Sequence, residues 1–580
     1  MNVINNILFL IEKKLRPQLV YIFFLTLIGT FLETLGVGII LPILTLIVQG
    51  KEALQEMINK MPFLTEQQLD LSNFTNSELV IFSIIFLIII FFIKTIFFIF
   101  LIWRQNKFTY EVESYLSSRM FNFYLNKDYS FHTERNSSEL FRNVKNEVGT
   151  FRHFIVMSSL TFLIEILVVA SITFLILYLQ PAPALSAAVF IFVVLFIFSK
   201  FNKKRLSKIG KDRQYYDALT IQHLNQGLDG IKEIKISCKE KEFLSIFDKN
   251  NLISIKSVAE QKFWILITKY LLEFVGVFTF MIIALFVVNK GYDLKIFLPT
   301  IGLVAAATFR FLPSAARIIQ SINNIRFGFP SINLLCNELK NKDNITKNLT
   351  GNLSEIPKSF KKISFENISF SYPKSENNIL QNTSFEVLNG DKIGILGPSG
   401  SGKSTLIDIL TGLLEPSSGN IKLDDQNVNL MQKNWYTRIG YVPQFIFLTD
   451  DTIKKNVAFG VKEEEMDIHL ITKSTQIAEL KNFLDTCQDG IDTMIGEFGA
   501  RISGGQRQRI GIARAIYSNS NFLIFDEATS AIDFETEKKI IDNLIKLPGK
   551  TMIIISHRRS ILEGCNKIFE IEGRQISQTK

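Results

Sequence analysis

A chain of 580 residues has room for more than one domain, and its 47% hydrophobic content includes 52 Phe. The net charge of +9 does not mark a nucleic-acid binder, because Lys13, Lys14 and Arg16, and again Lys203, Lys204 and Arg205, sit beside long apolar runs, as on the cytoplasmic flanks of membrane helices. Cys238, Cys336, Cys487 and Cys565 have neither paired nor metal-ligand spacing and fit a reducing compartment.

The first apolar run, 19–48, is too long for a signal-peptide core and has no small-residue cleavage site, so it is expected to be retained. Its centre, "LIGTFLETLGVGIILPIL", carries Glu33 together with Gly36, Gly38 and Pro42. Between it and the second run, 79–103, Leu54, Met57, Ile58 and Met61 follow the i, i+3, i+4, i+7 pattern of one face of a short helix. That helix either lies on the outer membrane surface or packs within the loop. The third and fourth runs, 154–180 and 184–200, are separated only by "QPAPA", a tight turn set by Pro181 and Pro183. The fifth and sixth are 263–289 and 295–320. Each is long enough to cross a bilayer, and charged, helix-forming segments follow the second and the fourth. An even number of crossings returns the chain to its starting side, which its basic flanks assign to the cytoplasm. Within the crossings lie Glu33, Lys94, Glu165, Glu273, Arg310 and Arg317. Ionisable groups there are costly and are candidates for function.

An Asn- and Lys-rich stretch then leads out of the membrane half. The expected organisation is a membrane domain over 1–325, a linker over 326–360 and a second domain over 361–580. In the last, short β-like runs ("ISFENISFSY", "KIGILG", "FLIFDE", "TMIIIS") alternate with helical stretches, the pattern of an α/β domain.

"GILGPSGSGKST" runs a strand into Gly397-x-x-x-x-Gly402-Lys403-Ser404 and then a helix, the P-loop pattern in its required context. Glycines let successive backbone N–H groups face a phosphate, and the helix N-terminus adds its positive end. Lys403 supplies a point charge to the outer phosphates and Ser404 a hydroxyl ligand to Mg²⁺. "FLIFDE" ends a strand in Asp526, placed to hold Mg²⁺ through water, and Glu527, placed to polarise an attacking water. "RISGGQRQR" sets Ser503, Gly504, Gly505 and Gln506 ahead of a second helix, another phosphate-binding terminus. "YVPQ" provides Gln444 and "IIISH" provides His557.

In this order and company the segment from about 361 to 580 resembles the nucleotide-binding domain of ABC transporters. The resemblance implies that Tyr372 in "FSYP" stacks on adenine and that Gly397, Pro398, Ser399, Gly400, Ser401, Gly402, Lys403, Ser404 and Thr405 form the phosphate loop. It implies catalytic roles for Glu527, His557 and Gln444, and Mg²⁺ held by Ser404, Gln444 and Asp526. Ser503 to Gln506 match the signature, and Asp533 in "SAID" the D-loop. Ile502 stands where Leu is usual, and Phe498 where Arg is common. In such proteins two domains meet head to tail and sandwich each ATP between one P-loop and the other signature. One P-loop per chain therefore implies a dimer, and the intact Glu527 and His557 favour a homodimer over a heterodimer.

The whole chain resembles an ABC exporter half-transporter, a six-helix polytopic membrane domain followed by an α/β P-loop ATPase. "KDYSFHTERNSSELFRN" and "NQGLDGIKEIKISCKEKEF" match the positions of coupling helices. "FLETLGVGIILPIL", "GIKEIKISCKEKEF", "TKYLLEF" and "FRFLPSAARII" are similar to segments of bacterial lipid-linked oligosaccharide flippases and related glycan exporters. The reading is an ATP-driven exporter or flippase of the bacterial cytoplasmic membrane carrying a polyprenyl-pyrophosphate-linked glycan outward. A lipid, peptide or drug exporter is the alternative within the class, and an ATP-gated channel or regulator the alternative outside it. No peptidase domain precedes the first crossing. At about 1.5 Å per residue, Glu33, Lys94 and Arg310 reach comparable mid-depth. Glu33 and Lys94 form either a structural ion pair or a cargo contact. Arg310 stands apart from them as a guanidinium suited to a pyrophosphate head group.

Overall fold

The computed structural model describes residues 3–59, 75–179, 181–289, 294–340, 356, 360–372 and 377–580. Two compact units result, Met1–Lys127 with His132–Ile345, and Asp128–Phe131 with Thr346–Lys580.

The first unit is helical. A short α1 (Val3–Leu10) precedes α2 (Arg16–Gly38), which starts with a Pro in its first turn, where the missing N–H is no loss. The first crossing is broken at Ile39 and resumes as α3 (Ile40–Gln49). Pro42 thus sits in the first turn of α3, so the break falls just before the Pro. A Cβ on Gly36 would meet the Phe91 ring at 3.4 Å, so α2 lies close against the next crossing. The expected short helix is present as α4 (Lys51–Asn59) with Leu54 buried, while Met61 lies outside the described residues.

α5 (Asn76–Leu125) opens with a reciprocal cap. The Thr75 amide donates to Glu78 Oε2 at 2.9 Å, and the Glu78 amide donates to Thr75 Oγ1 at 3.4 Å. This helix continues far beyond the second apolar run, as its charged, helix-forming tail predicts. A short helix, Tyr129–Glu134, follows. The third crossing, α6 (Ser158–Leu179), is entered through two π-helical stretches, Asn143–Glu147 and Phe151–Met157. There Glu147, fully buried, accepts from Arg213 Nη2 at 2.9 Å and Gln214 Nε2 at 3.0 Å, and Arg213 Nη1 donates to Asp217 at 3.0 Å. Asn143 Nδ2 donates to the Tyr124 hydroxyl at 3.0 Å. The Glu147 carboxylate thus has a partner on each oxygen, which makes its burial tolerable, while Arg213 Nε is left without a hydrogen bond.

α7 (Pro181–Asp229) begins at Pro181 itself, so Pro181 and Pro183 of the expected turn are helical, while Gln180 lies outside the described residues. A short helix, Ile231–Ser237, ends at Cys238 in a left-handed conformation. α8 (Glu240–Asn289) and α9 (Leu294–Lys340) complete the unit. α9 runs past the boundary expected at 325, because helix-forming sequence continues beyond the last apolar run. Among the described residues three helical stretches are long and apolar enough to cross a membrane, 13–49, 76–125 and 137–175. The other three expected crossings fall within α7, α8 and α9.

The second unit holds two sheets. β1 (Lys362–Phe370), β2 (Leu380–Leu388), β4 (Ser418–Leu423) and β5 (Gln426–Asn427) form an antiparallel sheet in the order β2-β1-β4-β5. β3 (Lys392–Leu396), β6 (Ile439–Val442), β7 (Phe522–Asp526), β8 (Thr551–Ile555), β9 (Lys567–Glu572) and β10 (Gln575–Gln578) form the other, in the order β10-β9-β3-β8-β7-β6. All its pairs are parallel except β10 with β9. β7 and β8 are buried throughout, which accounts for their unbroken apolar runs. Helices α10 (Lys403–Leu410), α11 (Gly504–Tyr517) and α12 (Phe534–Ile545) pack around them. Phe365 and Phe385 stack at 4.6 Å between the antiparallel sheet and this core.

Candidate functional site: a strand-end polar centre and a charged node in the membrane helices

Register places the site. Ile395 of β3 pairs with Ile555 of β8, which pairs with Asp526 of β7, and β6 runs parallel beside β7. The carboxyl ends of four adjacent strands therefore align, and the residues just beyond each converge. Such a crevice is where open α/β sheets bind ligands. Beyond β3 comes the loop 397–402, which needs positive φ at Gly397, Gly400 and Gly402; a Cβ on Gly397 would come within 2.8 Å of the Ile571 carbonyl. Pro398, Ser399 and Ser401 complete this loop. Lys403, at the start of α10, is buried and donates to the carbonyls of Gly397 and Pro398, both at 2.9 Å. Tyr372 lies 3.4 Å, hydroxyl to hydroxyl, from Thr405.

Beyond β7, Glu527 is the hub. Gln444 Nε2, beyond β6, donates to its Oε2 at 2.9 Å. His557 Nε2, beyond β8, is 2.6 Å from its Oε1, and Lys403 Nζ is 3.7 Å from the same oxygen. Glu527 is itself at φ +48°, a left-handed backbone that turns its side chain toward these partners. Next to it, burial pushes the Asp526 carboxyl up to about 6; the Glu527 charge adds to this, and Lys403 and a hydrogen bond with Ser404 oppose it. A buried carboxyl beside a hydroxyl is a donor set suited to a hard divalent cation, whose charge would restore the carboxylate.

Ser503, Gly504, Gly505 and Gln506 form a separate cluster. Ser503 caps α11, accepting from the Gln506 amide at 3.2 Å while its own amide donates to the Gln506 side chain at 2.8 Å. Asp533 caps α12 by accepting from the Thr536 amide at 3.0 Å, which holds its carboxyl below the ordinary range.

Three positioning residues carry no motif signal. Gln508 donates to Ser530 at 3.0 Å and accepts from the Ala531 amide at 2.8 Å, tying the signature helix to the 530–533 turn. Glu537, buried, accepts from Thr529 at 2.6 Å and from Arg558 at 2.8 Å, tying that turn to the segment after His557. Asp408 sits below the loop with its carboxyl pushed up to about 6 by burial and the nearby Asp526. A polar residue on a buried helical face was the only available clue.

In the membrane unit Glu33 and Lys94 do meet, Nζ to Oε2 at 3.1 Å. Arg310 does not stand apart. Its Nε contacts the other Glu33 oxygen, so one carboxylate from α2 binds cations from both α5 and α9. The expectation of an isolated guanidinium failed because α9 packs close enough to α2 for Glu33 to use both oxygens. Glu165 takes Arg317, Oε1 to Nε at 2.5 Å and Oε2 to Nη2 at 3.2 Å. Glu273 lies 3.7 Å from Lys269. An open groove of about 680 Å³ between α8 and α9 is bordered by Lys269, Glu273 and Arg317.

Comparison with known proteins follows the same division. Residues 380–530 match the family described as ABC transporter, and residues 19–308 the ABC transporter transmembrane region. A leukotoxin translocation ATP-binding protein of Mannheimia haemolytica is 40% identical over 233 residues, 40% of this chain and 32% of that protein. An ATP-dependent lipid A-core flippase of Ralstonia nicotianae is 40% identical over 215 residues, 37% of this chain and 36% of that protein. The chain thus spans about a third of the length of these relatives. A bacterial Atm1-family ABC exporter solved with ATP bound has the same fold, with a TM-score of 0.78 over 98% of this chain and 95% of that one at 18% identity.

Proposed function

The chain belongs to the ABC transporters, a transmembrane region fused to an ATP-binding domain, and from that premise we propose that it is an ATP-driven exporter or flippase of the bacterial cytoplasmic membrane. The observation that carries this reading is the convergence of Lys403, Gln444 and His557 on Glu527 beside Asp526. Tyr372 stacks on adenine, the 397–405 loop wraps the phosphates, and Lys403 exchanges its loop carbonyls for phosphate oxygens. Ser404, Gln444 and Asp526 would hold Mg²⁺, which would supply positive charge against the phosphates. Glu527 orients and deprotonates the attacking water, and His557 and Gln444 keep its carboxylate aimed.

The chain works as a homodimer, in which Ser503 to Gln506 and Asp533 complete the partner's ATP site. The membrane domain runs to the end of α9 at Lys340, past the boundary expected at 325, and the ATPase domain is 361–580, with the N-terminus and the ATPase domain in the cytoplasm. The segments around Tyr129–Glu134 and Ile231–Ser237 couple closure of the ATPase pair to the crossings. The cargo is a large amphiphile, foremost a polyprenyl-pyrophosphate-linked glycan, contacted by the Glu33, Lys94 and Arg310 group. The similarity to a lipid A-core flippase and to a leukotoxin translocation protein supports a lipid and a polypeptide as second readings. The test is ATPase activity of the reconstituted full-length protein against a panel of lipid-linked glycans, lipids and peptides. Selective stimulation by the pyrophosphate-linked glycans is expected; stimulation by peptides alone would overturn the cargo assignment.

A further inference from the structure

Between the short helix Ser137–Arg142 and the third crossing, the chain winds through two π-helical stretches, Asn143–Glu147 and Phe151–Met157, with a single α turn, Val148–Thr150, between them. A π turn carries one residue more than an α turn, so this segment stores spare residues. The burial pattern shows why the sequence accepts them. Asn143 and Val148, Thr150 and Ile155, and Phe151 and Val156 are buried pairs five apart, which an α-helix would turn to different faces. Yet Glu147 and Ile155, four residues after Asn143 and Phe151, are buried as well. The same side chains satisfy an α and a π register, and burial alone favours neither.

Firm contacts lie on both sides of this slack. On the cytoplasmic side Arg213 and Gln214 donate to Glu147 at 2.9 and 3.0 Å, and Arg142 Nη1 donates to the Gln214 carbonyl at 3.0 Å. On the membrane side Glu165 holds Arg317 at two points. The contacts between these anchors are of a kind that slides. A Cβ on Gly328 would lie 2.8 Å from Phe154 Cβ, so α9 passes close beside the second stretch with no side chain to interlock. The α turn lies against α5, where a Cβ on Gly149 would meet Glu113 Oε1 at 3.4 Å. Arg152 reaches Glu113 at 2.6 Å and covers the Tyr110 ring at 4.3 Å. Both partners of that pair are more than a fifth exposed, so it can part without stranding a buried charge, whereas the Glu147 pair cannot.

Resting on the exporter reading, we propose that Asn143–Met157 is a register switch. When the ATPase pair closes, the spare residue of the second stretch moves toward the first. Each residue it crosses, Arg152 among them, turns by about 100° and shifts about 1.5 Å along the axis. The Glu147 and Glu165 contacts stay made, and Arg152 parts from Glu113. The third crossing thereby yields to the segment before it without unpacking at either end.

The test reads the facing of residue 152. The full-length protein carries Arg152→Cys with Glu527→Gln to block hydrolysis, and Cys238→Ser and Cys487→Ser to remove the native cysteines that are not buried. It is placed in nanodiscs, and N-ethylmaleimide modification at residue 152 is timed by mass spectrometry with and without ATP and Mg²⁺. The rate should change by about tenfold or more, since thiol reactivity follows exposure. Deleting His153, an exposed residue, removes the spare residue and should make the rate independent of ATP. His153→Ala keeps the residue count and should behave as the parent, a distinction that a merely structural side chain does not predict. An ATP-independent rate in the parent overturns the proposal, and so does a deletion variant that still responds. If the deletion variant does not fold, the parent and His153→Ala decide: loss of the response in His153→Ala assigns it to the side chain and overturns the register switch. Bound nucleotide is measured in the same samples. Absent ATP binding would therefore show failure of the exporter reading, and bound ATP with an unchanged rate failure of the switch.

Discussion

Around Glu527, side chains from the ends of neighbouring strands meet on one carboxylate, whereas in the membrane unit Glu33, Glu165 and Glu273 meet cations carried by helices. The sheet aligns its partners through backbone register: Gln444 and His557 each lie two residues beyond a strand end, and Lys403 follows the loop that leaves β3. The membrane unit has no such ruler. Arg317 and Glu165 are 152 residues apart, and only the packing of whole helices brings them together. The ATPase unit gathers polar groups on one carboxylate at the strand ends, while in the membrane unit Glu33, Glu165 and Glu273 are each paired in place. A carboxylate that collects several different side chains is the signal of chemistry in the first, and a paired one is the signal of helix packing in the second.

The strongest way to break this contrast is Glu527→Gln. ATPase activity of the reconstituted protein should fall by roughly 10² to 10⁴, the usual contribution of a positioned general base, with the melting temperature of the protein little changed. Turnover near the wild-type rate would remove Glu527 from its role, and cargo flux that survives the loss of hydrolysis would make the chain a gate. Glu147→Ala probes cancellation without chemistry. It strips the buried carboxylate from Arg213 and should cost about 3 kcal/mol, read as a lowered melting temperature of the full-length protein with ATP binding unchanged. A melting temperature like that of the wild type would mean that the buried network contributes nothing.

The smallest effect sharpens the comparison from the ATPase side. Asp391 is also buried, yet it is a bracing residue rather than part of the polar centre. It accepts from Lys567 at 2.7 Å, the Leu388 amide at 2.8 Å and Asn566 at 2.8 Å. Burial alone would raise its carboxyl, but these partners hold it below the ordinary 3.8. A lowered folded value stabilises above the unfolded one, and that stabilisation is lost as pH falls through the folded value. Asp391→Asn should therefore cost about 1 to 3 kcal/mol near neutrality, with the gap to wild type closing in acid. A gap independent of pH would mean that the carboxylate charge is not what braces β3.

The legibility of the chain follows the same line. The P-loop, Asp526, Glu527, Gln444 and His557 could be read in order because each motif ends a strand whose apolar run marks it. The six crossings were legible from hydropathy, and Glu33 with Lys94 from shared depth. Arg310 was misplaced because depth gives no azimuth; nothing in the linear pattern says that α9 turns Arg310 toward α2. Pro42 was visible in the first run, but the break falls at Ile39, because a Pro in the first turn of a helix acts on the residues before it. Gln508 and Glu537 were silent because a residue that steadies a loop from a buried helical face looks like any other polar residue.

The left-handed backbone at Glu527 has one more consequence. A side chain held there costs of order 1 to 3 kcal/mol, and glycine would avoid most of it. On folding alone the position belongs to glycine. The fold thus carries a side chain where stability alone favours glycine, so Glu527→Gly would relieve the backbone and remove the carboxylate on which Gln444, His557 and Lys403 converge in one step.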